Sequence, residues 1–315
     1  MNSPKSAPSA PYLPPMLALF IGSGCAALIY QIVWFQILEL VIGVSAVSLA
    51  VLLGTYMGGM CAGSLLLTRY VSPARHPLEV YAKLEAMIGI AGALLIVLMP
   101  LVGRLYTAVD GGGPASIVLR AVASVILLLP PTMLMGATLP AIARYVKATP
   151  SGVAWLGYFY GGNILGAVIG CLAAGFYLLR VYDLTTAALT AVALNAIVAI
   201  GGSLLAKRAP YAPPQAVTGG PGAPARTGAG ADPITSMKSW APRGIYVAIA
   251  LSGFTALGAE VVWTRLLSLL FGATTYAFSV ILAVFLIGLG IGSAIGSAIA
   301  RSTADARVIP RVILG

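Results

Sequence analysis

Eight stretches of this sequence run for about 20 residues or more with few charges: 16–40, 45–68, 78–103, 116–146, 153–179, 184–206, 244–270 and 274–300. A helix needs about 20 residues to cross a bilayer core. No water reaches backbone N–H and C=O groups there, so a spanning segment must satisfy them internally, as a helix does. Each stretch is therefore predicted to be a transmembrane helix, and the fold class is an all-α polytopic membrane protein. Only 8% of residues are charged and 59% are hydrophobic, against about 25% charged in soluble domains. The formal net charge of +10 then belongs to loops. No basic run interleaves with aromatics, so nucleic acid is not an expected partner and the lipid bilayer is.

One region occurs twice. Ser252–Ser293 aligns without a gap on Ser23–Ser64, and about a third of the aligned positions are identical. Trp34 recurs as Trp263, Gly43 as Gly272, Gly59 as Gly288 and Gly63 as Gly292. A repeat this widely spaced is not a solenoid; it marks one large unit followed by the start of another. Six predicted helices precede the second copy, so both copies enter the bilayer in the same direction. That is a parallel repeat, the arrangement of the two halves of the major facilitator superfamily (MFS). The predicted organisation has five parts. A Pro-rich disordered cytoplasmic tail at 1–15 leads into a six-helix bundle at 16–206. A Pro/Gly/Ala-rich linker at 207–243 has nothing to build a core from. A two-helix repeat of 16–69 occupies 244–301, and a cytoplasmic tail occupies 302–315. The second half is thus incomplete within these residues. A secretory signal is a poor reading of the N-terminus, because the apolar run reaches Leu38 and recurs at 252.

Cationic residues concentrate on one side. With the N-terminus inside, the inner segments hold Lys5, Arg69, Arg75, Arg144, Lys147, Lys207, Arg208 and the cations of the linker and C-terminal tail. The outer loops hold Arg104, Arg120 and Arg180, offset by Asp110 and Asp183. This asymmetry predicts a multi-pass protein of the cell's inner (plasma) membrane with a cytoplasmic N-terminus.

Small residues four apart predict close backbone packing on the second helix (Gly54, Gly58, with Gly59 and Gly63), the fifth (Gly162, Gly166, Gly170) and the eighth (Gly288, Gly292, Gly296). Pro130, Pro131 and Pro140 predict a kink or break in the fourth. Cys25, Cys61 and Cys171 lie in apolar runs and read as free packing residues. The lone histidine, His76, cannot build a metal cluster, and no metal, cofactor or catalytic residue is expected in this chain. Asp110–Gly113 has the composition of a phosphate-cradling loop, but it sits in a short outer connection and reads as a turn.

Chemistry is sought where charge is costly. Glu260 lies midway along the seventh helix with Arg265 beyond it; the first copy carries Gln31 and Gln36 there. Two charges gained together suggest mutual dependence. Five positions is about 140° of helix rotation, however, so Glu260 is expected to meet a partner on another helix. Glu85, about two turns into the third helix, is either a substrate contact or half of a pair with a loop arginine such as Arg69 or Arg144. Glu39, at the outer end of the first helix, reads as interfacial. Asn163 and Asn195 are buried amides that tie helices. The candidate binding set is Glu85, Glu260, Arg265, Gln31 and Asn163.

Several runs resemble one family. They are Ala27–Trp34 (ALIYQIVW), Gly258–Leu267 (GAEVVWTRLL), Tyr81–Glu85 (YAKLE) with Gly89, Pro131–Pro140 (PTMLMGATLP), Asn163–Ala167 (NILGA) and Gly175 with Phe176. They are similar to the multi-spanning domain fused ahead of spermidine synthase-like (polyamine aminopropyltransferase-like) domains in bacteria. The resemblance covers most of 16–206 and 244–300. It implies an MFS-like bundle beside a soluble Rossmann-like domain that binds decarboxylated S-adenosylmethionine and a diamine through a Gly-Gly-Gly-Asp-Gly loop and acidic residues. That loop and domain have no counterpart in this sequence, so the resemblance implies a catalytic half beyond these residues or on a separate cytoplasmic chain. The expected function is a membrane domain that anchors the catalytic half and handles its cationic substrate or product, with Glu85 and Glu260 as acidic contacts. Two other classes stay open: a proton-driven secondary transporter in its own right, and a non-transporting scaffold whose buried charges only lock helices. A homo-oligomer is one way to complete the second half.

Overall fold

A computed structural model describes residues 12–43, 45–72, 74–109, 114–147, 152–211, 241–272 and 275–302. The described residues hold eight helices long and apolar enough to cross a membrane, and no strand. In chain order α1 is Leu13–Ile42, α2 Ser45–Tyr70, α3 Pro77–Val109 and α4 Pro114–Lys147. Helix α5 runs Gly152–Ala173, passes through one π-helical turn at Ala174–Leu178 and ends as Leu179–Val181. Then follow α6 (Leu184–Arg208), α7 (Ala241–Phe271) and α8 (Thr275–Ser302). The tail before Tyr12, the linker at 212–240, the turn Asp110–Gly113 and the segment 303–315 lie outside the described residues.

Several boundaries differ from the sequence reading. Helix α1 begins inside the predicted tail, with Pro14 and Pro15 in its first turn. The first N–H groups of a helix have no internal acceptor, so proline costs nothing there. The linker is shortened from both ends, by α6 reaching Arg208 and α7 starting at Ala241. Helix α4 does not break: it is continuous through Pro130, Pro131 and Pro140. The Thr132 hydroxyl, just after the proline pair, lies 2.9 Å from the carbonyls of Leu128 and Leu129 and 3.4 Å from that of Thr55, so this turn is tied to α2.

Helix α1 is the axis of the assembly. In its apolar window 61% of residues are buried against protein, against 11% for α7, which is peripheral. Around α1 stand α5, α6, α2 and α3; α2 also packs on α4, α3 on α6 and α4, and α5 on α8. The predicted glycine ladders hold only in part: Gly59 and Gly63 of α2 and Gly166 and Gly170 of α5 meet a neighbouring backbone, whereas Gly54 and Gly58 of α2 and Gly288 and Gly292 of α8 have nothing within 4 Å of where a Cβ would stand. A Cβ at Gly63 would fall on the Met133 carbonyl of α4, and one at Gly136 on the backbone of Met60. Cβ atoms at Gly166 and Gly170 would fall on the Ile21 and Cys25 carbonyls of α1. In lipid, such close approach is what holds apolar helices together.

The repeat is visible in the backbone. Gly43 ends α1 at φ 81° and Gly272 follows α7 at φ 87°, the left-handed conformation that ends helices and favours glycine. Burial of the two copies diverges: Trp34 is 1% exposed and its counterpart Trp263 is 58% exposed. At one side of the bundle, here the near side, Arg144 donates to the carbonyls of Val71 (2.9 Å) and Leu67 (3.3 Å), closing the end of α2. There too the His76 Nε2 lies 3.0 Å from the Ala209 carbonyl after α6. At the far side Arg120 of α4 donates to the Val41 carbonyl at the end of α1 (3.2 Å).

Candidate polar sites inside the bundle

Helix α3 turns Tyr81, Glu85, Gly89 and Gly92 to one face, since residues three and four apart stack along a helix. That face meets α1 and α6. Tyr81 donates to the Leu19 carbonyl (3.4 Å), the backbone at Gly89 lies against Asn195, and Gly92 makes room for the ring of Tyr30. Glu85 is therefore fully enclosed, at 0% exposure. Its Oε1 accepts from the Ser23 hydroxyl of α1 at 2.5 Å and its Oε2 from the Asn195 amide of α6 at 2.7 Å. The expected pairing with a loop arginine is not formed. Arg144 is spent on the end of α2, and Arg69 is exposed. Three helices are thus tied through one carboxyl group, with both oxygens occupied. Some polar atoms buried inside the bundle have no partner among the described residues: Asn195 Oδ1, the Tyr30 hydroxyl and Gln31 Nε2.

Glu260 is in a different situation. It sits near the middle of the spanning segment Val247–Phe271 and is 3% exposed. No described residue forms a hydrogen bond or ion pair with its carboxyl group, so the partner expected on a neighbouring helix is not found among them. One turn on, Thr264 is also buried and its hydroxyl is unpartnered among the described residues. Gln31, the repeat counterpart of Glu260, is likewise buried. Asn163 is used structurally: its carbonyl and side-chain oxygens pack on Gly24, where a Cβ would clash with both. Arg265 is exposed and lines a far-side cavity. The candidate set is therefore not one constellation; Glu85 and Glu260 lie on separate helices with separate surroundings.

Asn195, read from the sequence as a buried amide that ties helices, does so; that its partner is Glu85, and the part played by Ser23, were missed. A weak signal existed for Ser23, a hydroxyl in an apolar run that recurs as Ser252. Glu39, read as interfacial at the outer end of the first helix, lines the same cavity as Arg265. The π-helical turn of α5 was not anticipated. Gly175 there lies against the Ser279 side chain of α8, and Cys171 donates its thiol to the Ser279 carbonyl at 3.2 Å. Comparison with protein-family models, curated proteins and solved structures finds no match to this chain.

Proposed function

We propose that these helices form the membrane domain of a spermidine synthase-like protein and that Glu260 binds a cationic group, an ammonium of a polyamine, within the bilayer. The observation that carries this reading is Glu260, 3% exposed at midspan, whose carboxyl group has no hydrogen bond or ion pair among the described residues. An isolated charge in a membrane span costs several kcal/mol and is kept where it has work to do. In parallel-repeat transporters the substrate site lies near the midplane, between the repeats. Glu260 is at midspan in the second copy, and the motifs that resemble the spermidine synthase-associated domain select polyamine among cations. On this reading the near side, which holds the long linker, carries the catalytic partner.

The test is uptake of labelled spermidine into proteoliposomes by wild type and Glu260→Gln. Uptake by wild type and its loss in the variant are expected. A scaffold is the second reading, favoured by the saturated Glu85 carboxyl group; it predicts no uptake by either protein.

A further inference from the structure

The far ends of the two repeat copies enclose a cavity of about 300 Å³, the small end of the ~300–1,000 Å³ range of ligand pockets. Gln36 and Glu39 line it from α1, Arg265 and Ser268 from α7. Phe35 of α1 and Phe278 of α8, with ring centroids 4.5 Å apart, form an apolar wall. In the repeat alignment Gln36 corresponds to Arg265 and Glu39 to Ser268. The same two positions of each copy thus face one another across the cavity, and one copy supplies the acid while the other supplies the base. No ion pair joins Glu39 to Arg265 or either of them to another described residue. Both lie close to the far ends of their helices, about 5 Å in for Glu39 and about 9 Å for Arg265 at a helical rise of ~1.5 Å per residue. Both thus lie toward the far ends of the membrane-spanning segments Leu13–Ile42 and Val247–Phe271.

We propose that this cavity binds a small zwitterion, with its oxyanion on Arg265 and its ammonium on Glu39. A guanidinium presents a planar fork of donors to a carboxylate or phosphate, and a carboxylate accepts from an ammonium. A ligand with only a positive charge would sit against Arg265, and one with only a negative charge against Glu39. Either arrangement sets one protein charge against a like charge across the cavity. A ligand carrying both charges satisfies both walls, and the phenylalanines receive its apolar part. A free amino acid and the headgroup of an ethanolamine phospholipid share this chemistry. Glu260 does not line the cavity, so the inference stands independently of the polyamine reading.

The test uses the full chain in nanodiscs with three probes of one skeleton: L-leucine, isoamylamine (leucine without its carboxylate) and 4-methylpentanoate (leucine without its amine). A lipid arm compares retention of phosphatidylethanolamine and phosphatidylglycerol by native mass spectrometry. The expected result is a preference of at least about ten-fold for leucine over both single-charge probes, which identifies a free amino acid, or for the ethanolamine lipid alone, which identifies a headgroup. Exchanging each charged residue for its repeat counterpart should change the preference in opposite senses. Arg265→Gln should let the amine bind as well as leucine, and Glu39→Ser should do the same for the acid. Arg265→Met and Glu39→Gln, which also remove each charge, read the same preferences if either exchange fails to fold. Equal binding of the three probes with no lipid preference, or preferences unchanged in folded variants, would overturn the proposal. Spermidine uptake is not read in this assay, so failure of the polyamine reading leaves its outcome intact.

Discussion

At the scale of single residues, two buried glutamates carry opposite lessons. Glu85 holds α1 and α6 to α3 through the Ser23 hydroxyl and the Asn195 amide. Removing one partner of a buried hydrogen bond costs about 1–3 kcal/mol because the other is left unsatisfied, whereas replacing both by apolar groups is nearly neutral. Asn195→Leu is therefore expected to lower stability by about 1–3 kcal/mol, and adding Glu85→Leu to recover part of that loss, as read by thermal unfolding in detergent. A Glu85 whose role is transport rather than tying helices would show no such recovery. Glu260 has no tie among the described residues, so Glu260→Gln should change uptake more than stability. The identity of these acids as special residues was legible in the sequence, because a carboxyl group inside an apolar run stands out. Their partners were not. A helix in lipid can be apolar all round, so its sequence carries no amphipathic stripe to say which side turns inward, and neither Asn195 nor Ser23 announces that it faces Glu85.

At the scale of elements, the repeat copies share small residues and differ in what covers them. Gly63 of α2 is pressed on the Met133 backbone, while its counterpart Gly292 of α8 has nothing within 4 Å of where a Cβ would stand. Gly63→Ala is expected to destabilise by about 1–3 kcal/mol or more, since backbone cannot move aside, and Gly292→Ala to be close to neutral; thermal unfolding of the two variants side by side checks this. Comparable losses would mean that the second hairpin packs against something these contacts do not include. A different terminus gives a pH prediction. Asp183 caps α6 by accepting from the Thr186 backbone N–H (2.9 Å), and hydrogen bonds from Thr186 hold its carboxyl group below the usual carboxylate range. A depressed folded value means that the cap stabilises above the unfolded pKa and weakens as pH falls through the folded one. Hydrogen-exchange protection of the first turn of α6 should therefore fall below about pH 4, and Asp183→Asn, which caps without titrating, should remove that dependence.

For the whole molecule, helix number, order and duplication were readable from hydropathy and from the recurrence of Trp, Gly and Leu at fixed spacing, because bilayer thickness imposes them locally. Which helix stands at the centre was not, since α1 and α7 have nearly the same pattern and only packing distinguishes the buried Trp34 from the exposed Trp263. The far side adds a constraint on how anything there could open and close. A second cavity of about 380 Å³ lies on that side between α1, α3, α4 and α6. The connections there are brief: α1 reaches α2 across 43–44, α3 reaches α4 across 110–113, α5 reaches α6 across 182–183, and α7 reaches α8 across 272–274. With connections of two to four residues, the ends of the helices themselves supply the cavity linings. If access at this surface follows movement of those helix ends, its rate follows the viscosity and thickness of the surrounding lipid rather than the sequence of any loop.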